Sequence, residues 1–259
     1  MSVGEFLIRA AKAPFGMFRR RDSRRGEGKH WSHERAPEIL HSRLMPAATY
    51  SPWLADAAFM AAYQRVKKFT LVDIYRCHEL WELAKQSVRV EGAIVEVGVW
   101  RGGTGCLLAL AAPEKTVYLA DTFAGVVNAG AHDTRYAGGE HADTSVDLVQ
   151  SLLHSAGVKN ARLLKGKFPA ETAAMVEEPV ALLHVDVDVY ESAKAAAEWA
   201  LPRLKPAAAI VFDDYGFFGC EGVTRLVNEL RGQLREFSCV YNLNGHAVLV
   251  KTAAARADD

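Results

Sequence analysis

The chain has 259 residues, half of them hydrophobic, and 31 basic side chains balance 31 acidic ones to give a formal net charge of zero. This balance favours neither a nucleic-acid backbone nor an anionic membrane surface as a partner, and no apolar run approaches the ~20 residues of a transmembrane helix. The four cysteines are too widely spaced for a zinc or disulfide motif and indicate reduced thiols. We therefore expect a cytoplasmic protein with one α/β core.

Residues 1–50 differ in composition from the rest of the chain. Five arginines cluster between Arg19 and Arg25, and three prolines interrupt any long element. This composition predicts an N-terminal extension, either a solvated arm or an ordered lid or oligomer contact, before a single domain over residues 51–259.

The predicted secondary structure begins with two helices, over 53–67 and 71–87, where apolar residues recur at helical spacing. Five apolar strands, each followed by a helical stretch, are predicted at 93–98, 116–121, 161–164, 181–186 and 207–213. Two β-rich segments, 237–242 and 246–250, then flank an Asn-Gly turn that is typical of a hairpin. The order predicts a doubly wound, mostly parallel seven-stranded α/β sheet with a C-terminal antiparallel hairpin.

A glycine-rich turn follows the first predicted strand. Glu96 and Gly98 end this strand, and Gly102 and Gly103 stand where the next helix begins. Glycines let the chain turn sharply and let the backbone approach a ligand at the carboxyl edge of the sheet. The spacing is not G-x-G-x-x-G, and the acidic Glu96 disfavours a phosphate at this turn.

The second predicted strand adds an acid to this turn. Asp121 stands 25 residues after Glu96, close to where α/β nucleoside sites place the acid that accepts both ribose hydroxyls. Glu96 suits the amino group of a methionine moiety, so the two acids together predict an adenosine ligand without phosphates. In the plainer interpretation, the glycines only form a tight turn and Asp121 only caps the next segment.

Four carboxylates follow the fourth and fifth predicted strands: Asp186, Asp188, Asp213 and Asp214. We expect them to converge, because the ends of neighbouring parallel strands meet at the edge where ligands bind. Clustered carboxylates repel, so either some are protonated or a cation lies among them, and oxygen ligands select a hard ion such as Mg²⁺, Mn²⁺ or Ca²⁺. A single one of these acids can also be a simple helix cap.

Histidines near these acids receive weaker interpretations. His184 lies inside an apolar strand and is interpreted as a hydrogen-bonded core histidine, not as a metal ligand. His132 and His141 lie in the glycine-rich stretch over 124–143, which is long enough to form a lid over the site.

Four motifs carry this chemistry: Glu96-Val-Gly-Val-Trp-Arg-Gly-Gly103, Asp121-Thr-Phe123, Asp186-Val-Asp-Val-Tyr-Glu-Ser192 and Asp213-Asp-Tyr215. Together they resemble the macrocin O-methyltransferase family. The resemblance implies a Rossmann-like, class I fold that binds S-adenosylmethionine (SAM), and methyl transfer to a sugar hydroxyl of a glycosylated natural product in antibiotic biosynthesis. It implies that Asp186, Asp213 and Asp214 hold Mg²⁺ and that Asp188 is the general base. It also implies that SAM is contacted by Thr70, Leu71, Glu96, Gly98, Asp121 and Phe123, to which we add Gly102 from the turn.

The expected partner is a small-molecule glycoside, with no nucleic acid and no membrane, and we expect a homodimer or higher homo-oligomer. In the expected mechanism two vicinal hydroxyls chelate Mg²⁺ and Asp188 takes the proton. A catechol-type O-methyltransferase uses similar metal chemistry and is the nearest alternative. A metal-dependent D-x-D glycosyltransferase leaves the glycine turn unexplained, and a nicotinamide oxidoreductase lacks its G-x-G-x-x-G motif. A SAM-binding module without activity leaves the four acids unexplained.

Overall fold

The computed structural model describes residues 51–242 and 244–252, so the predicted extension over residues 1–50 lies outside the described residues. The helices in these residues are α1 (Ala57–Val66), α2 (Ile74–Ser87), α3 (Gly103–Ala111), α4 (Val146–Ser155), α5 (Tyr190–Ala200) and α6 (Glu221–Gln233). The strands are β1 (Ala93–Val97), β2 (Val117–Asp121), β3 (Ala161–Lys165), β4 (Val180–Val185), β5 (Leu204–Phe212), β6 (Phe237–Tyr241) and β7 (Ala247–Lys251). No helix within this part of the chain is long and apolar enough to cross a membrane.

The seven strands form one sheet in the order β3-β2-β1-β4-β5-β7-β6. The five strands β1 to β5 pair in parallel, whereas β7 pairs antiparallel with both β5 and β6. The predicted parallel sheet with a C-terminal hairpin is therefore confirmed. The strand order reverses between β1 and β4, and in such sheets ligands bind in the crevice outside the carboxyl ends of the strands at this point.

Two apolar layers cover the faces of the sheet. Phe59, Leu80 and Leu107 belong to a layer that packs α1 to α4 on one face, and Ala197 and Leu226 belong to the layer of α5 and α6 on the other. Because successive strand residues point to opposite faces, neighbouring residues of β1 enter different layers. This is why the central strands are apolar at every position apart from a few polar residues near the site.

Two predicted helix starts are wrong, because aspartates cap the helices later in the chain. The first predicted helix is divided by Asp56, which follows a 3₁₀ turn (Pro52–Ala55) and caps α1 with its side chain. The second begins only after Asp73, whose carboxylate accepts hydrogen bonds from two backbone amides in the first turn of α2. Leu71 therefore lies in the segment before α2, where it is 65% exposed.

The predicted helix after the third strand is also wrong. Only a short 3₁₀ turn, Ala173–Met175, lies between β3 and β4. The strand β3 lies at the edge of the sheet and pairs only with β2, and Arg162 and Lys165 are exposed. Only Leu164 of β3 is fully buried, so this edge strand presents less apolar surface for a helix to cover than the central strands do.

Candidate active site

The turn after β1 is held by close backbone contacts. Gly98 has φ of +90°, and a Cβ atom there would lie 1.7 Å from the carbonyl oxygen of Asp186. The amide of Gly103 donates to the carbonyl oxygen of Phe69 at 2.9 Å. Any side chain at position 98 would clash with the carbonyl oxygen of Asp186, so only glycine fits there. The glycine turn therefore brings β1, the end of β4 and the segment before α2 together at the predicted cofactor edge.

Asp121 ties the end of β2 to this turn. Its Oδ2 accepts hydrogen bonds from the amides of Val99 at 2.7 Å and Trp100 at 2.8 Å, and its Oδ1 accepts one from Phe123 at 2.6 Å. Asp121 thus caps backbone amides, which is the role that the plainer interpretation of the sequence assigns to it. A carboxylate has about four acceptor positions, so these three bonds leave room for a ribose hydroxyl, and that contact stays a prediction.

Glu96 points into the core of the protein. Both Glu96 and His184 are completely buried, and Oε1 of Glu96 lies 2.9 Å from Nδ1 of His184. His184 is therefore buried and hydrogen-bonded, as the sequence predicts. Among the described residues, Oε2 of Glu96 has no hydrogen-bond partner, and a Cβ atom on Gly105 would lie 2.6 Å from it. A buried acceptor of this kind needs a partner, which keeps the predicted contact of Glu96 with the cofactor open.

The other predicted cofactor contacts lie around the glycine turn. A Cβ atom on Gly103 would lie 2.8 Å from Cβ of Thr70. Leu71 follows with an exposed apolar side chain, and Phe123 is partly buried against the apolar layer of α1 to α4. Phe123 also has a positive φ of 54°, which is uncommon outside glycine and frequent at functional sites. These side chains border the edge predicted for SAM.

The structure brings the four predicted acids together. Asp186, Asp213 and Asp214 each offer one carboxylate oxygen, and these oxygens lie within 4.8 Å of one another. Asp188 and Asp214 are within the same distance of each other and of Cys220. Both have positive φ, 64° and 60°, a conformation that costs energy and is maintained by surrounding contacts. We call Asp186, Asp188, Asp213 and Asp214 the acidic cluster.

Burial and mutual repulsion change the proton affinity of the acidic cluster. Burial, followed by the charge of Asp213, raises the pKa of Asp186 and Asp214 well above the usual value. Burial also raises the pKa of Asp188, against a hydrogen bond from Tyr136 that lowers it. Burial therefore favours the protonated form of these three carboxylates, an effect that a bound cation would oppose.

Arg76 on α2 is the buried positive charge beside this cluster, and the sequence did not reveal it. Its Nη1 lies 2.5 Å from Oδ2 of Asp213 and 3.5 Å from Oδ1 of Asp214, while its Nε contacts Asp73 at 2.9 Å. Burial opposes ionisation of Asp213, but the charge of Arg76 and the contact with His246 lower its pKa well below the usual value. The same carboxylates raise the pKa of Arg76 against the effect of burial.

A histidine also contacts Asp213, at the carboxylate oxygen that Arg76 leaves free, and sequence reasoning assigned it no role. His246, just before β7, is completely buried, with Nε2 at 2.9 Å from Oδ1 of Asp213 and Nδ1 at 2.6 Å from Oε2 of Glu79. Glu79 also accepts hydrogen bonds from the side chains of Asn242 and Asn244. Burial would lower the pKa of His246, but its two carboxylate neighbours raise it.

The loop between β2 and α4 reaches the acidic cluster, in the position predicted for a lid. Tyr136 donates a hydrogen bond from Oη to Oδ1 of Asp188 at 2.7 Å. Asp133 accepts from the amide of Tyr190 at the start of α5, and Thr134 donates to Glu221 at the start of α6. Neither predicted lid histidine makes the contact with Asp188. The tyrosine does, and loop composition alone gives no signal for it.

Comparison with known families identifies the family of this chain. The profile of the family described as Macrocin-O-methyltransferase (TylF) matches residues 58–249, which is most of the chain. The chain belongs to the macrocin-O-methyltransferase family. The match contains the glycine turn, Asp121, the lid and the acidic cluster, so the family resemblance of the sequence motifs is confirmed. As a member of this family, the chain is a SAM-dependent O-methyltransferase.

Individual family relatives are named for sugar-bearing antibiotics. The 8-demethyl-8-(2,3-dimethoxy-alpha-L-rhamnosyl)-tetracenomycin-C 4'-O-methyltransferase of Streptomyces olivaceus is 28% identical over 65% of this chain and 69% of the relative. The mycinamicin III 3''-O-methyltransferase of Micromonospora griseorubida is 28% identical over 58% of this chain and 66% of the relative. The chain thus spans about two thirds of the length of these relatives.

A solved structure with the same fold is that of the O-methyltransferase NovP, which is similar to this chain with a TM-score of 0.62 at 23% identity. The similarity covers 71% of this chain and 83% of NovP. It confirms the class I methyltransferase fold that the family motifs imply.

Proposed function

We propose that this protein transfers a methyl group from SAM to a sugar hydroxyl of a small glycosylated natural product, with Mg²⁺ at the acidic cluster and Asp188 as general base. The observation that carries the proposal is the convergence of the four carboxylates beside the glycine turn. The names of the two antibiotic relatives support a sugar acceptor. The role in antibiotic biosynthesis is part of this proposal, whereas the cytoplasmic location and the homo-oligomer stay predictions.

The acidic cluster fits a hard divalent ion. Asp186, Asp213 and Asp214 offer only oxygen atoms, which Mg²⁺ prefers as ligands. The pKa values of Asp186 and Asp214 are raised, which indicates that the cluster lacks positive charge. Arg76 offsets one negative charge of the four. A divalent ion in place of the protons would leave the cluster close to neutral, with Asp188 available for the substrate.

The residues around the cluster have distinct roles in the proposed reaction. Bound Mg²⁺ supplies Lewis acidity that stabilises the alkoxide form of a sugar hydroxyl. Asp188 accepts the hydroxyl proton, and Tyr136 fixes the orientation of its carboxylate. The turn at Gly98 places the cofactor against the same crevice, and the lid excludes water from it. The acceptor oxygen and the methyl group can then be aligned.

The release of S-adenosylhomocysteine from SAM tests the proposal. The full-length protein is incubated with a panel of deoxysugar glycosides and catechols, with Mg²⁺, with EDTA, and with Mg²⁺ restored after EDTA. We expect turnover of a glycoside only when Mg²⁺ is present, because the hydroxyl is a poor nucleophile without the ion. Turnover restricted to catechols would favour the catechol alternative, and binding of UDP-sugars in place of S-adenosylhomocysteine would favour a glycosyltransferase.

Replacing Tyr136 with Phe should move the acid limb of the pH–rate profile to higher pH. The Tyr136 hydroxyl stabilises the ionised form of Asp188 and so lowers its pKa, against the raising effect of burial. Only the ionised form can accept a proton, so losing the hydroxyl raises the pH at which activity appears. The measurement is kcat against pH at saturating Mg²⁺ and SAM.

The matched control for this substitution is Tyr118→Phe. Tyr118 donates to Glu178 at 2.6 Å, and both lie near the amino ends of the strands, at the opposite edge of the sheet. Its pH–rate profile should match that of the parent protein. An unchanged profile for Tyr136→Phe would mean either that Asp188 is not the general base or that Tyr136 does not contact it.

A further inference from the structure

Three buried residues next to the proposed Mg²⁺ site, one of which is shared with that site, bring potential metal-ligand atoms close together. Among the described residues, Nε2 of His184 has no hydrogen-bond partner, whereas Nε2 of His246 and Oδ1 of Asp213 lie 2.9 Å apart and have no other hydrogen-bond partner. These three residues each offer one ligand atom within 4.8 Å of the others, and their exposures are 0%, 0% and 3%. An unsatisfied buried polar group costs about 1–3 kcal/mol, so the unpartnered Nε2 of His184 next to this pair indicates an occupant that all three residues can bind.

We propose that His184, Asp213 and His246 bind a divalent transition-metal ion of the Zn²⁺ type, at a buried site next to the acidic cluster. The three ligands come from neighbouring strands of the sheet, since His184 lies on β4, Asp213 directly follows β5 and His246 directly precedes β7. The ion would hold these three strands together at their shared edge. This site does not depend on the proposed sugar methylation.

The second nitrogen of each histidine is already committed to a carboxylate. Nδ1 of His184 lies 2.9 Å from Glu96, and Nδ1 of His246 lies 2.6 Å from Glu79. A carboxylate that accepts the Nδ1 proton fixes the tautomer in which Nε2 carries a free lone pair. Metal-bound histidines almost always have such a partner. Two histidines with this arrangement and converging Nε2 atoms are a stronger signal than a cluster of acids.

The distances agree with ligands that surround an ion. Nε2 of His246 lies 2.9 Å from Oδ1 of Asp213. Neighbouring ligands of an ion with bonds of ~2.1 Å stand roughly 3 to 3.5 Å apart. The rings of His184 and His246 have centroids 6.0 Å apart and planes at 70°, so they approach the common point from different directions.

The donor set separates this site from the acidic cluster. Two imidazole nitrogens and one carboxylate oxygen suit Zn²⁺, Co²⁺ or Fe²⁺, whereas the oxygen-only cluster suits Mg²⁺. Asp213 belongs to both groups, since Oδ1 faces His246 and Oδ2 faces Arg76. Because all three ligands are buried, we assign the ion a structural role.

Cobalt binding tests the site without any assay of methyl transfer. The full-length protein is stripped with a chelator, returned to excess Mg²⁺ to saturate the acidic cluster, and titrated with Co²⁺. We expect one tightly bound Co²⁺ per chain with visible d–d absorption, displaced by Zn²⁺ and not by Mg²⁺. His184→Gln should weaken Co²⁺ binding at least ~100-fold, whereas the matched variant Asp186→Asn, which alters only the acidic cluster, should retain it.

Pulsed electron paramagnetic resonance of the Co²⁺ form keeps the test decisive if His184→Gln does not fold. In the unsubstituted protein it should detect two imidazole nitrogens bound to the ion. A folded, stripped protein that takes up no Co²⁺ in excess Mg²⁺ would overturn the proposal, and the three atoms would then surround a buried water molecule. Cobalt binding that Asp186→Asn abolishes and His184→Gln spares would overturn it as well.

Discussion

Asp188→Asn should lower kcat for methyl transfer by about 10²- to 10⁴-fold, the usual contribution of a general base, while the affinity for S-adenosylhomocysteine stays unchanged. The amide cannot take up the hydroxyl proton. It can still accept the hydrogen bond from Tyr136, and asparagine tolerates the positive φ of 64° at this position. The fold and the lid contact should therefore survive the substitution.

Two measurements check this prediction: kcat at saturating SAM, acceptor and Mg²⁺, and S-adenosylhomocysteine affinity by calorimetry. Asp147→Asn is the matched control, because it makes the same chemical change at an exposed position in the first turn of α4. This control should retain full activity. An Asp188→Asn variant as active as the control would exclude Asp188 as the base and leave the methyltransferase fold unaffected.

Arg76→Leu should destabilise the fold by about 3–5 kcal/mol in EDTA, the usual cost of leaving a buried charge without its partner. Arg76 is 7% exposed and contacts Asp213 and Asp214. Without the guanidinium group these carboxylates must take up protons or bind an ion. Saturating Mg²⁺ should therefore restore much of the lost stability, because an ion that binds only the folded state stabilises it by mass action.

The free energy of unfolding, measured by denaturant titration in EDTA and in saturating Mg²⁺, checks this expectation. Arg225→Leu is the matched control, because Arg225 forms an exposed pair with Glu229 on α6 and exposed pairs contribute little. The control should differ little from the parent protein in either buffer. Equal losses for Arg76→Leu in EDTA and in Mg²⁺ would show that the cluster does not gain an ion in place of the arginine.

The parts of the site that the sequence predicted are those that follow from strand ends. A parallel sheet places the residues after β1, β4 and β5 at one edge, so the glycine turn and the four acids could be located from their positions along the chain. The sheet itself was predictable because both faces of its central strands are covered. The edge strand β3 departs from this pattern, and there the predicted helix was wrong.

The site residues that the sequence did not predict, Arg76, His246 and Tyr136, reach the site through contacts between distant parts of the chain. Arg76 and Asp213 are 137 positions apart, and His246 and Glu79 are 167 apart. Neither pair has a local spacing signal, because the contacts depend on how α2 packs against the carboxyl end of β5 and the amino end of β7. Tyr136 lies in a long loop, whose path follows from its anchors on α5 and α6 and not from periodicity.

The contact between Gly98 and the carbonyl oxygen of Asp186 has an evolutionary consequence. It joins main-chain atoms, so no replacement of the side chain at position 186 can make room for a larger residue at position 98. The lid, by contrast, touches the cluster through the side chain of Tyr136 and can diverge without moving any strand. Substitutions in this loop can therefore alter the surroundings of the acidic cluster without a clash at the backbone of the crevice between β1 and β4.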